Sequence, residues 1–300
     1  MRFVSSEMKL RERFFASLDA IRDIPTFPRV AARLSEAMAR PAFTMGEVAD
    51  AIQQDPAVTA RLLTLVNSAY YRRITGGVAI VSVPFAVTRV GLEEIRNIVT
   101  TLSVFSLFPG AWANVDRLAF WRHCLETALT ARVVRARVAG QATWPRDADD
   151  QWYVAGLLHD IGLVVLDHYF RPAFAGILAV ARGSTVPLHE VETAMAGIDH
   201  AAIGAAVARR WRLPAPIVAA LAHHHDPAGA PEEHRALCAG VHLADYICRA
   251  GEAGLVDRAE ETASEYALAA LDLSAADLDG IAAAARTHAD EAGTLAELAA

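Results

Sequence analysis

Seven residues beyond position 122 carry groups that bind protons or metal ions where the surrounding sequence is largely apolar. They are His123, the doublet His159-Asp160, His200, the pair His224-His225, and Asp245. The doublet makes the strongest demand, because it sits inside Ala155-Gly156-Leu157-Leu158-His159-Asp160-Ile161-Gly162-Leu163-Val164-Val165-Leu166. A carboxylate among such side chains is costly unless it is paired or coordinated. Imidazole and carboxylate donors suit borderline and hard divalent ions such as Fe, Mn, Zn or Mg, and thiolate donors are missing from the set. Two such ions bridged by one aspartate would polarise a phosphate and acidify a bound water. A lone histidine is more often a satisfied core or surface residue, and His168, His189, His234 and His288 are read that way. His223 stays open between the two readings. His242 shares a helical face with Asp245, three residues on, although Asp245 could face the site alone. Taken together, the set favours a metal centre.

Helices must position these groups. Thr44-Met45-Gly46-Glu47 fits a capping box, in which hydroxyl and carboxylate satisfy the free amides of a first turn. Asp55-Pro56 reads as an N-cap followed by proline at the first helical position. Val58, Leu62, Leu65, Val66 and Ala69 then recur at helical spacing. Gly76-Gly77 is a loop, Val78 to Val87 an apolar stretch punctuated by Ser82 and Pro84, and Gly91 precedes a helix that ends at Pro109-Gly110. A second region opens with a helix from about Arg117 to Ala139 and a polar loop from Thr143 to Asp150. Tyr153 to Tyr169 reads as a mainly apolar helix interrupted by His159-Asp160. Further helices are expected over Ala173 to Ala181, from Asp199 through Val207, before His223-His224-His225, and over Leu237 to Arg249, with one or two more in the tail. The fold class expected is all-α. Its parts are a helical region over 1–112, a metal-binding helical region over 113–250, and an acidic helical tail over 251–300.

Composition narrows the classes. Apolar residues make up 54% of the chain, much of it alanine, the best helix former. Disorder, a collagen-like fibre and a disulfide scaffold are therefore not expected. Cys124, Cys238 and Cys248 form no CxxC pair and point to a reducing, cytoplasmic setting. The start, Met1-Arg2-Phe3-Val4-Ser5-Ser6-Glu7, lacks the apolar core of a secretory signal, and no stretch approaches the roughly 18 uninterrupted apolar residues of a membrane span. Net charge is −7, yet residues 251–300 alone carry −9, which reads as a solvated helical face. Lys9 is the one lysine, and the scattered arginines of the first region (Arg29, Arg33, Arg61, Arg72, Arg73, Arg89, Arg96) form no basic stripe. Neither a membrane nor a nucleic acid is an expected partner.

The order His123, His159-Asp160 in LLHDIG, His200 in DHAAIG, His224-His225, and Asp245 in VHLADYI resembles the HD superfamily of metal-dependent phosphohydrolases. Ile24-Pro25-Thr26-Phe27-Pro28, Asp55-Pro56-Ala57-Val58, Leu65-Val66-Asn67-Ser68-Ala69-Tyr70-Tyr71 and Val90-Gly91-Leu92 are similar to the HDOD domain, the HD-related output domain of bacterial signalling proteins. Over roughly residues 15–250 this resemblance implies a multi-helix HD-superfamily bundle with an N-terminal helical HDOD subdomain. In the related HD-GYP phosphodiesterases, which cleave cyclic dinucleotides, the matching positions bind two or three metals. Carried over, His123, His159, Asp160, His200, His224, His225 and Asp245 become metal ligands, with Asp160 bridging.

Three departures stand against HD-GYP activity. Leu163 occupies the place of a lysine three residues after the doublet, and Leu cannot stabilise phosphate charge. Asp226-Pro227-Ala228-Gly229-Ala230-Pro231 replaces the GYP signature, and Ala119 stands where a carboxylate would favour a third metal. The resemblance thus implies a mono- or dinuclear divalent centre in a regulatory signal-transduction module. Its expected partners are signalling proteins and a nucleotide second messenger. The other expectation is a phosphohydrolase or phosphodiesterase acting on a nucleotide, with Asp160 as its catalytic residue.

Overall fold

The computed structural model describes residues 16, 21, 24–38, 40, 42–110, 112–138, 149–250 and 264–299. Lys9, the start of the chain, the loop expected before Asp149 and the acids of 251–263 lie outside them. The described residues form helices without a strand. In chain order the first are α1 (Arg29–Met38), α2 (Met45–Gln53), α3 (Pro56–Val66), α4 (Ala69–Ile74), α5 (Val83–Val90) and α6 (Leu92–Phe105). There follow α7 (Arg117–Val138), α8 (Asp149–Leu158), α9 (Ile161–Tyr169), α10 (Arg171–Arg182), α11 (Leu188–Ala196), α12 (His200–Arg210) and α13 (Ala215–His223). The last are α14 (Arg235–Ala250), α15 (Glu265–Ala270), α16 (Ala275–Arg286) and α17 (Ala289–Ala299).

By internal contact the chain divides into two compact units, one of Pro25–Gly110 with Thr287–Ala300, the other of Ala111–Arg286 with the described residues up to Ile24. In the first, the capping box at α2 forms as the sequence demands. The Thr44 hydroxyl accepts from the Glu47 amide at 3.2 Å, and the Glu47 carboxylate accepts from the Thr44 amide at 2.8 Å. Asp55 caps α3 through the amides of Ala57 and Val58. Asn67 closes the Gly76-Gly77 loop by bonding both the carbonyl and the amide of Ile80. Ser82 caps α5, so the proline that punctuates the apolar stretch falls in a first helical turn, where a missing amide costs nothing. Ile95, Ile98, Val99, Leu102 and Phe105 make one fully buried stripe of α6.

The second unit is built on α7. Helices α8, α14 and α16 pack against it, α9 packs on α12, and α12 on α13. Trp121, Trp152, Phe120 and Phe174 are buried there.

The tail differs from expectation in two ways. It holds three described helices rather than one or two, because Asp272 takes a left-handed backbone and Ser274 and Asp277 cap the helix that follows. Nor is it merely a solvated face. Leu271, Leu273 and Ile281 are buried in the unit built on α7, and Ala292, Leu295 and Ala296 are buried where α17 meets α3, α4 and α6. No helix among the described residues is long and apolar enough to cross a membrane.

Candidate metal centre

The sequence reason for the site is a helix that breaks where it must. His159 and Asp160 occupy the junction between α8 and α9, and Asp160, at the N-cap of α9, makes no capping hydrogen bond with its side chain. Its carboxylate is thereby left for the interior. Gly162 lets α9 approach α12, since a Cβ there would stand 2.0 Å from the carbonyl oxygen of His200. Gly156 does the same for α8 against α7, with a virtual Cβ 2.8 Å from the Ala128 Cα. His200 opens α12, which Asp199 caps through the Ala202 amide. His224 and His225 follow the end of α13, His123 lies on α7, and Asp245 on α14.

These elements bring all seven sequence-selected residues together. His123 Nε2 lies 3.3 Å from His159 Nε2, 3.2 Å from Asp245 Oδ1 and 3.6 Å from Asp160 Oδ2. His159 Nε2 is 3.2 Å from Asp160 Oδ2 and 3.5 Å from Asp245 Oδ1. On the other side of Asp160, its Oδ1 is 3.3 Å from His200 Nε2 and 3.5 Å from His224 Nε2. His225 Nε2 is 2.8 Å from His200 Nε2. Two overlapping donor groups result, His123–His159–Asp160 and Asp160–His200–His224–His225, with Asp160 common to both. His225 is half-buried, and the other six are buried.

A surrounding set of contacts fixes the rings. His159 Nδ1 lies 2.8 Å from the Gly156 carbonyl and His224 Nδ1 2.9 Å from the Leu221 carbonyl. Such bonds place a proton on Nδ1 and turn Nε2 inward. Glu192, fully buried on α11, accepts from both the backbone amide and Nδ1 of His200, each at 2.7 Å. Arg249, one turn after Asp245, grips its carboxylate with two guanidinium nitrogens. His242 does not join the cluster; its Nδ1 lies 2.7 Å from the His224 carbonyl. His189 stacks on the ring of His225, centroids 4.1 Å apart. Reading it as an ordinary histidine therefore missed a neighbour of the site. Sequence reasoning also passed over Glu192 and Arg249. The i,i+4 spacing of Asp245 and Arg249 was a usable signal. Glu192 offered none, because its partner is reached only across the turn at Gly197.

Electrostatics divides the rings. Burial alone would strip His159 of its proton, but the Asp160 and Asp245 carboxylates outweigh it and lift its pKa to about 10. His200 rises well above the usual histidine range, its burial overcome by Glu192 and Asp160. Burial likewise opposes charge on Asp160 and Asp245. Imidazoles around Asp160, and Arg249 with His159 around Asp245, nevertheless hold both well below the usual carboxylate range. His224 is pushed down to about 4 by burial, which with the charges of His159 and His200 outweighs the opposing pull of Asp160. Without an ion, the cluster thus sets anionic carboxylates against protonated rings at His159 and His200 and a neutral ring at His224.

The residues fit a divalent ion. Asp160 Oδ1 and His224 Nε2 are buried, aim at each other's neighbourhood and have no hydrogen-bond partner. Buried polar atoms without partners are uncommon and call for a bound group. The donors are nitrogen and oxygen only. The nearby Cys124 thiol is driven well above its ordinary pKa, first by burial and then by Asp160 and Asp245, and stays protonated.

The sequence pattern of the HDOD domain matches residues 24–227. This chain belongs to the HDOD domain family. The match includes every cluster residue except Asp245, which the fold supplies from α14. A curated but uncharacterised protein of Treponema pallidum is 29% identical over 231 residues, 77% of this chain and 43% of that protein. The chain thus spans less than half the length of that relative. Among solved structures, an HDOD domain protein of unknown function from Geobacter sulfurreducens has a TM-score of 0.77 at 26% identity, covering 96% of this chain and 99% of its own. A proposed signal transduction protein from Marinobacter aquaeolei VT8 has a TM-score of 0.80 at 21% identity, covering 98% of this chain and 66% of its own. A proposed phosphohydrolase from Shewanella amazonensis has a TM-score of 0.71 at 22% identity, covering 94% and 97%. The last two share the fold.

Proposed function

We propose that this HDOD protein is a regulatory module of bacterial signal transduction whose His/Asp cluster holds one or two divalent ions, with Asp160 common to both positions. The observation that carries this reading is the convergence of two donor groups on one carboxylate, with buried ligand atoms that make no hydrogen bond. His123, His159 and Asp245 would hold one ion, and His200, His224 and His225 the other. A bound divalent ion supplies Lewis acidity and acidifies its water. Glu192 and the two backbone carbonyls orient the rings for that task, and Arg249 offsets the charge of Asp245.

Binding requires only donors, whereas phosphate cleavage also requires charge stabilisation and proton delivery. Leu163 is apolar and buried where HD-GYP enzymes present a lysine, and Arg249 is already engaged by Asp245. The module therefore acts by binding in the cytoplasm, with signalling proteins and a nucleotide second messenger as its partners. The complete donor set favours a second reading, a metal-dependent phosphohydrolase acting on a nucleotide, with Asp160 essential.

Turnover separates the two. Protein loaded with Mn, Fe, Zn or Mg is assayed against cyclic dinucleotides and nucleoside phosphates. No hydrolysis above the metal-only background is expected. Robust turnover abolished by Asp160→Ala would replace the regulatory reading with the enzymatic one.

A further inference from the structure

The residue before His224 faces somewhere else. His223 lines a cavity of about 450 Å³, while His224 and His225 turn into the buried cluster. Val218 and Ala222, one turn apart on α13, share that lining with His223. Arg209 from the end of α12, Leu213 just after it, and His234 from the short 3-10 turn Glu232–His234 also line it. None of the seven cluster residues lines this cavity.

Its chemistry is two-sided. Leu213, Val218 and Ala222 make part of its lining apolar, and Arg209, His223 and His234 add a guanidinium and two imidazoles to it. Arg209 is exposed, and among the described residues no carboxylate pairs with it. No side-chain hydrogen bond there engages His223 or His234. A guanidinium fork matches phosphate oxygens in bidentate fashion, and an imidazole N–H adds a donor even when neutral. The volume falls within the roughly 300–1,000 Å³ typical of small-molecule sites.

We propose that this cavity binds a phosphate monoester with an apolar or aromatic body, separately from the metal centre. The phosphate is held by Arg209 with His223 and His234, and the body lies against the apolar part of the lining. Inorganic phosphate alone would leave that part wetted, and a neutral apolar molecule would leave the three nitrogen groups without an acceptor. Because His223 is continuous with His224 and His225, occupancy bears directly on the chain segment that supplies two cluster donors.

The test is calorimetric titration of the full chain, both EDTA-treated and Mn-loaded, with phenyl phosphate, inorganic phosphate and benzyl alcohol. Phenyl phosphate is expected to bind at one site per chain, about tenfold or more tighter than either fragment, with or without EDTA treatment. Arg209→Gln, at an exposed position, is expected to weaken it about tenfold while circular dichroism stays unchanged. The imidazole NMR signals of His223 and His234 should shift together during the titration. Three results would overturn the proposal: no phenyl phosphate binding in the millimolar range, binding abolished by EDTA, or equal affinity in Arg209→Gln.

Discussion

In the unit of Pro25–Gly110 and Thr287–Ala300, the polar groups around the buried carboxylate of Glu291 complete one another. The Tyr70 hydroxyl donates to Glu291 Oε2 at 3.0 Å, and the Tyr71 hydroxyl lies 2.8 Å from Glu94 Oε1 and 3.3 Å from Glu291 Oε1. His288 Nδ1 stands 3.2 Å from the same Glu291 carboxylate. In the unit of Ala111–Arg286, imidazoles and carboxylates also meet in the interior, but Asp160 Oδ1 and His224 Nε2 find no hydrogen bond. Both interiors use acids and ring donors. One network closes on itself and ties α17 to α4 and α6, whereas the other converges on points that a cation would occupy. Buried charge by itself therefore does not mark a metal site; unfinished pairing around a shared carboxylate does.

The largest effect that would probe this contrast comes from Gly162→Val. A side chain there collides with the His200 backbone, which cannot give way as a flexible side chain could. A loss of about 3 kcal/mol or more is expected in urea unfolding, together with the metal site. A cost under about 1 kcal/mol would mean that α9 and α12 are not held in contact.

Metal removal comes next. At a free ion concentration a hundred times its dissociation constant, loading is expected to add about 2.7 kcal/mol of stability, reversed by EDTA. Glu291→Gln should weaken the chain yet keep the same metal-dependent increment. A vanished increment would mean that the self-completed network is part of the metal response.

pH acts on the metal-free cluster from both sides. His159, raised to about 10, contributes stability that is full below the unfolded value of about 6.5 and is lost as pH rises through 10. His224, lowered to about 4, contributes stability that is full above about 6.5 and is lost as pH falls through 4. Chemical denaturation of metal-free protein should therefore show its stability maximum near neutrality. Metal loading should flatten the alkaline limb, because the ion then replaces the proton on His159. A limb unchanged by metal would contradict a bound ion at His159.

The smallest effect belongs to the closed network. Tyr71→Phe removes one hydroxyl from between two carboxylates and is expected to cost about 1 kcal/mol. Metal content should not change; a fall would join the two regions that the comparison separates.

Much of this could be read from the chain because its strongest signals are violations. A His-Asp doublet inside LLHDIGLVVL cannot be an ordinary helix interior, and the structure shows that it is a helix junction. Capping residues at Thr44, Asp55 and Asp199 were equally direct, since each works on amides two or three positions away. Contacts that depend on tertiary approach were not legible. Glu192 looks like any acid on an amphipathic helix until α12 brings His200 to it, and Glu291 looks solvated until Tyr70 and Tyr71 surround it. His189 owes its role to stacking on His225, which no spacing encodes. The tail was legible only as helical, without the break at Asp272 and the cap at Ser274 and Asp277 that shape its helices.

The most direct measurement is the metal content of wild-type, Asp160→Ala and Glu291→Gln chains, purified anaerobically side by side and analysed by mass spectrometry. About one to two equivalents of a divalent ion are expected in the wild type and in Glu291→Gln, with little left in Asp160→Ala, which loses the carboxylate common to both donor groups. Equal metal in Asp160→Ala and wild type, or a chain that takes up none even when loaded, would contradict a cluster completed by a cation.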